Sequence, residues 1–102
     1  MSENQNKMIV APSLMAWADD KHSNYHIEVK LPGVEKESLV LKMHEDSFFL
    51  KGETDDTVYI GSYAVCCEVD PKKAKAVYKN GLLKVDVPFK NVMEGAVDIQ
   101  IE

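Results

Sequence analysis

The sequence contains no arginine: all 12 basic residues are lysine, against 17 acidic residues, and the formal net charge is −5. Arginine supplies the planar fork that recognises phosphate and guanine, whereas lysine is only a point charge. Because the charge balance is also acidic, we expect no nucleic-acid partner. The chain has no apolar run near the roughly 20 residues that span a bilayer, and its polar opening is unlike a signal peptide. We therefore expect a soluble, cytoplasmic protein without a membrane partner.

Cysteine is scarce as well, and the only two cysteines, Cys66 and Cys67, are adjacent. The alternating pattern around them predicts a strand, in which neighbouring side chains point to opposite faces. We therefore expect one thiol in the core and one facing outward. A strained bridge or a redox pair between them is the alternative.

Patterns that carry catalysis or bind metals are missing too. The histidines, His22, His26 and His44, are not spaced as zinc ligands and are predicted to lie in a turn or on outward strand positions. The acidic pairs at 19–20 and 55–56 fall in predicted turns and lack the spacing of a calcium loop. No nucleophile elbow, phosphate loop or dinucleotide fingerprint occurs. We expect no enzyme activity, no cofactor and no bound metal.

The dominant positive feature of the sequence is period-two alternation of apolar and polar residues. With 102 residues, 45% hydrophobic and 28% charged, the chain fits one globular domain. Gly61 is expected to separate strands at 57–60 and 62–69, residues 71–75 to form one helical turn, and Asn80-Gly81 to close a hairpin. About seven to nine short strands without an amphipathic helix predict an all-β, immunoglobulin-like sandwich.

Four separated segments carry more specific motifs. They are a strand that runs into Leu-Pro-Gly at 31–33, a strand ending in Gly-Glu at 48–53, an Asn-Gly hairpin at 76–83 and Ile-Gln-Ile at 99–101. In this order they resemble the α-crystallin domain of small heat-shock proteins. The Ala-x-x-x-Asn-Gly-x-Leu signature of that family is matched here by Ala76, Asn80, Gly81 and Leu83.

The resemblance implies the Hsp20-like version of the sandwich and a division into three parts. These are a short flexible N-terminal arm at 1–11, an α-crystallin-type sandwich at 12–90 and a C-terminal extension at 91–102. It also implies an ATP-independent holdase chaperone of the stress response, which self-associates and prevents the aggregation of partly unfolded client proteins. Because the arm is short, the alternative is a co-chaperone or adaptor sandwich of the Hsp90-binding type, which recognises a folded partner.

The resemblance further implies sites of contact between subunits. In the family, the C-terminal motif of one subunit enters a groove between two edge strands of a neighbour. Here the motif would be Ile99 and Ile101. The groove that accepts this tail or a client would comprise Leu39, Leu41, Met43, Val77 and Leu83. An intramolecular edge strand at 97–101 remains the alternative, because alternation fits both.

The chain departs from the family pattern at the strand that makes the dimer. Bacterial, archaeal and plant relatives exchange a strand that a longer loop carries, whereas the corresponding segment at 54–62 is short here. If this segment pairs with a partner subunit, the pairing strand is Val58, Tyr59 and Ile60.

Overall fold

The structure is a computed structural model that describes residues 7–21, 23–90 and 97–102. Over these residues the chain forms eight strands and two single 3-10 turns. The strands are β1 (Met8–Val10), β2 (Ser13–Ala18), β3 (Asn24–Lys30), β4 (Val40–Met43), β5 (Ser47–Glu53), β6 (Thr57–Ala64), β7 (Lys75–Lys79) and β8 (Leu82–Pro88). They make two sheets, ordered β1-β6-β5-β4 and β2-β3-β8-β7. The predicted β-sandwich is confirmed.

The core lies between the two sheets and is built by alternate residues of the central strands. Its buried side chains come mainly from β3, β5 and β8: Tyr25, Ile27, Val29, Phe48, Leu50, Leu83, Val85 and Val87. Each large aliphatic side chain that becomes fully buried stabilises the fold by about 1.5 to 3 kcal/mol. The period-two pattern seen in the sequence is therefore the packing pattern of the sandwich.

Two turns at one end of the sandwich contact each other. The β7–β8 hairpin closes through Asn80 and Gly81, whose φ angles of 54° and 81° suit a tight turn between twisted strands. The Leu31 amide donates a 2.7 Å hydrogen bond to the Gly81 carbonyl, and a Cβ on Gly81 would lie 3.4 Å from the Cα of Pro32. The predicted hairpin is confirmed, and the Leu-Pro-Gly segment that follows β3 packs directly against it.

The predicted strand break at Gly61 is wrong, because β6 runs unbroken through this residue. The ring of Tyr63 lies over Gly61, and a Cβ placed there would be 2.3 Å from the Tyr63 hydroxyl oxygen. The aromatic ring thus occupies the space that a side chain at position 61 would fill. Glycine here permits a close contact inside a strand and does not end it.

The segment after β6 also differs from the prediction, because the strand ends at Ala64. The amides of Val65 and Val69 donate hydrogen bonds of 2.9 and 2.8 Å to the carbonyls of Asp46 and Glu45, in the turn between β4 and β5. Cys66 and Cys67 lie in the bend between these anchors, and both are exposed. The expectation of one buried thiol is wrong, since strand alternation does not extend to them.

Candidate interaction site at the sheet edges

β4 and β7 are the last strands of their sheets, and contacts near their ends place them on the same side of the sandwich. At one end, the Tyr78 hydroxyl of β7 donates a 2.8 Å hydrogen bond to the Val34 carbonyl. Val34 and Leu39 pack together over Gly52 on β5, beside the start of β4. At the other end, Met43 of β4 lines the same surface cavity as Pro71 and Lys72, in the turn that precedes β7. We call the opening between β4 and β7 the edge groove.

The β4 side of the edge groove is an apolar row. Leu39, Leu41 and Met43 are each partly buried against the core, and they share the inward phase of the strand. Leu41 and Met43 pair with the buried Leu50 and Phe48 of β5. β4 has no strand on its other side among the described residues. The structure thus brings together the three β4-side residues that the sequence predicts.

The β7 side of the edge groove differs from the sequence-based choice of Val77 and Leu83. Leu83 is only 4% exposed and belongs to the core, whereas Val77 is 62% exposed and pairs with the solvent-facing Lys84 on the outer face. The inward residues of β7 are Ala76 and Tyr78, because they pair with the buried Val85 and Leu83. The sequence does contain a signal for the inward residues of β7. A two-residue Asn-Gly turn fixes the pairing of the strands on either side of it, and this pairing places Tyr78 opposite Leu83.

The end of the chain presents isoleucines to solvent. Residues 97–102 form no strand and pair with no other segment among the described residues. Ile99 is 80% exposed and Ile101 is 92% exposed. Large apolar side chains left this exposed at alternate positions are suited to bind an apolar surface. Residues 91–96, the first half of the predicted extension, lie outside the described residues.

The candidate dimer strand lies inside β6. Val58 and Tyr59 pair with β5 on one side and with Ile9 and Val10 of β1 on the other. Ile60 pairs only with Lys51 of β5 in the described structure. An incoming strand could therefore pair with β6 from Ile60 onward, or along its whole length if β1 were displaced.

The start of β1 is held by contacts with the end of β5 and with the turn between β5 and β6. Lys7 Nζ donates a 2.9 Å hydrogen bond to Glu53 Oε1, and the Met8 amide donates one of 2.9 Å to the Asp56 carbonyl. The Lys7 ammonium holds the pKa of the Glu53 carboxyl below its ordinary value. Residues 8–10, which the sequence places in the N-terminal arm, thus form a strand of the sandwich.

The structure describes two of the three histidines, His26 and His44. His26 stacks against Trp17 with ring centroids 5.6 Å apart, and its Nδ1 hydrogen-bonds the Asp86 carboxylate. His44 is exposed, and His22 lies outside the described residues. Within ranges 7–21, 23–90 and 97–102, no three His, Cys, Asp or Glu side chains converge as metal ligands. None of the helical segments in these ranges is long and apolar enough to cross a membrane.

Tyr78 closes the edge groove at one end, and its hydroxyl provides a test of that role. We expect Tyr78→Phe to lower the free energy of unfolding by about 1 to 3 kcal/mol. The carbonyls of Leu31 and Val34, each 2.8 Å from the hydroxyl oxygen, lose the one proton that they share. Tyr63→Phe is the matched control, since the Tyr63 hydroxyl is buried with no hydrogen-bond partner among the described residues and its removal should be neutral or stabilising. Urea unfolding followed by circular dichroism measures both. Equal effects of the two substitutions would contradict the assignment.

The fold and the apolar edge define a β-sandwich of the α-crystallin type. The model of the Hsp20/alpha crystallin family matches residues 17–102. The chain therefore belongs to this family, the small heat-shock proteins.

Individual relatives agree with this placement. The chain is 22% identical over 108 aligned residues to a probable 15 kDa heat shock protein of Leptospira interrogans, a match that covers 92% of this chain and 82% of the relative. Its fold matches heat shock protein 16.0 of Schizosaccharomyces pombe with a TM-score of 0.73, at 19% identity, over 99% of this chain and 84% of the other. A small heat-shock protein of Xylella fastidiosa, described as having a distinct high order structure, matches with a TM-score of 0.68 at 14% identity, over 91% of this chain and 95% of that one.

Proposed function

We propose that the protein is an ATP-independent holdase chaperone, which binds partly unfolded proteins at the edge groove and prevents their aggregation. The observation that carries the proposal is the apolar row Leu39, Leu41 and Met43 along β4, whose outer edge is open in the part of the chain that the structure describes. The proposal assigns no catalytic residue, cofactor or nucleic-acid partner, and it places the protein in the cytoplasm.

The open edge of β4 suits a client that is not defined by its sequence. An extended segment added to a sheet edge gains main-chain hydrogen bonds, which any sequence can make, while apolar side chains contact the row. Unfolded chains expose such segments, and folded proteins bury them. A holdase of this kind lowers the concentration of free unfolded chains by mass action and needs no nucleotide.

The same groove suits the exposed tail of a second subunit. Burial of two isoleucine side chains is worth roughly 3 to 6 kcal/mol before ordering costs, which makes the contact reversible. Ile99 and Ile101 are exposed at alternate positions, as an added strand requires. Tail and client would then compete for one groove, so self-association and client binding are linked.

The test is the aggregation of a heat-denatured client, followed by turbidity without nucleotide. We expect the protein at equimolar or higher concentration to suppress turbidity, and we expect Leu41→Ser to weaken suppression more than Val77→Ser. Val77 is the matched control because it lies on the outer face, away from the edge groove. Circular dichroism checks that both variants are folded.

Two outcomes would contradict the proposal. Unchanged client turbidity with the folded wild-type protein argues against a holdase, and equal loss in both variants argues against the groove. A strict monomer by light scattering at micromolar concentration, together with unchanged turbidity, would favour the adaptor that recognises a folded partner.

A further inference from the structure

The loop that follows β6 carries two adjacent thiols on the surface. Cys66 and Cys67 are both exposed, whereas Val65 and Val69 on either side of the loop are buried. The side chains that anchor the loop therefore point inward and the two sulfurs do not. This arrangement leaves both thiols accessible from solvent.

The loop is fixed to the sandwich by main-chain hydrogen bonds. Val65 and Val69 bond to the turn between β4 and β5, and the Lys90 amide donates a 2.9 Å bond to the carbonyl of Glu68. Consecutive Cα atoms are about 3.8 Å apart, so the two thiols start from neighbouring points of a fixed segment. The neighbouring Cys67 side chain raises the pKa of the Cys66 thiol. The two thiols are therefore adjacent, exposed and carried by one fixed segment.

The surroundings of Cys66 and Cys67 disfavour several common kinds of thiol chemistry. A direct disulfide between adjacent residues is distorted. A zinc site requires four ligands, and the described residues offer no group of three donors. A thiol with a raised pKa is a weak nucleophile towards reagents that need a single thiolate. The remaining possibility is a soft metal or metalloid atom, which binds two neighbouring thiols and needs no further ligand from the protein.

We propose that Cys66 and Cys67 form a dithiol site for trivalent arsenic. A monosubstituted arsenical such as phenylarsine oxide keeps its own organic group on arsenic, so two sulfurs complete a three-coordinate centre. The arsenic atom also lengthens the ring that joins the two side chains, which relieves the distortion of the direct bridge.

The reaction is an exchange without oxidation or reduction. Each sulfur forms a bond to arsenic. Both bonds between arsenic and the oxide oxygen break, and this oxygen leaves as water with the two thiol protons. Arsenic remains trivalent and sulfur remains at the thiol level. The arsenical carries no charge, so the acidic residues near the pair do not repel it. These residues are Glu68, which follows Cys67 in sequence, and Glu45 and Asp46, whose carbonyls bond to the loop.

The test uses the full chain and phenylarsine oxide, with Cys66→Ser and Cys67→Ser as single variants. Intact mass should show one arsenical per wild-type chain. Because the second sulfur binds intramolecularly, the wild type should retain the arsenical at glutathione concentrations about 100-fold higher than those that strip either variant. A small dithiol, dimercaptopropanol, should remove it from all three. Both cysteines are exposed, so the serine variants should keep the wild-type circular dichroism spectrum.

Three results would overturn the site. They are equal retention by the wild type and either variant, two arsenicals on each wild-type chain, and arsenic that links two chains. Neither cysteine belongs to β4, β7 or the tail. Failure of arsenic binding would therefore leave the client-aggregation test of the holdase unaffected, and the reverse also holds.

Discussion

Replacement of both Ile99 and Ile101 by alanine is expected to lower the particle mass in light scattering without changing the β-rich circular dichroism spectrum. The two side chains are exposed within the described structure and support no intramolecular strand, so the fold should not need them. Their loss from an intersubunit contact removes roughly 3 kcal/mol or more, which is at least about a hundredfold in affinity.

The matched control for the tail is Asp98→Ala with Gln100→Ala, which changes the opposite phase of the same segment. We expect this variant to retain the wild-type mass, because an added strand directs these two side chains away from the groove. If the isoleucine variant unfolds, the segment belongs to its own sandwich. If both variants keep the wild-type mass, the tail is not the contact between subunits.

Leu50→Ala is expected to produce the largest loss of stability, about 2 to 5 kcal/mol. Leu50 is 0% exposed at the centre of β5, where it pairs with Leu41 of β4 and Gly61 of β6, so its truncation leaves a cavity inside the core. A typical domain is stable by only about 5 to 15 kcal/mol, so the variant should unfold at a much lower urea concentration.

The stability of Leu50→Ala is best measured in the background of the double isoleucine variant, where unfolding is not linked to association. Val77→Ala is the control in the same background. Val77 is mostly exposed, so its truncation should change stability by no more than about 0.5 kcal/mol. Similar urea midpoints for the two variants would contradict the central position of Leu50 in the core.

Much of the fold could be predicted because its determinants are local in sequence. The alternation of Tyr25, Ile27 and Val29 and the Asn80-Gly81 turn both depend on neighbouring residues, and both predictions are confirmed. The continuity of β6 through Gly61 could not be predicted in this way. This continuity depends on the position of the Tyr63 ring over Gly61. The sequence pattern does not contain that information and therefore predicted a strand break at the glycine.

The candidate site likewise has a part that the sequence predicts and a part that it does not. Leu39, Leu41 and Met43 share one strand phase, so their common face was visible in the sequence. The β7 side was not, because its choice depends on the register through a turn: Tyr78 faces inward, and Val77 does not. The positions of Cys66 and Cys67 depend on hydrogen bonds from Val65 and Val69 to a turn that lies earlier in the chain, and no local pattern encodes those bonds.

The contact between the Leu-Pro-Gly turn and the Asn-Gly hairpin has a consequence for protein engineering. Tyr78 and Leu31 are 47 residues apart, yet the Tyr78 hydroxyl, the Leu31 amide and the Gly81 carbonyl form one connected corner. The two sequence motifs are therefore halves of a single structural joint. A chimera that grafts the hairpin of a relative onto this chain should transplant the matching Leu-Pro-Gly turn with it, since either half alone leaves polar main-chain groups without their counterparts.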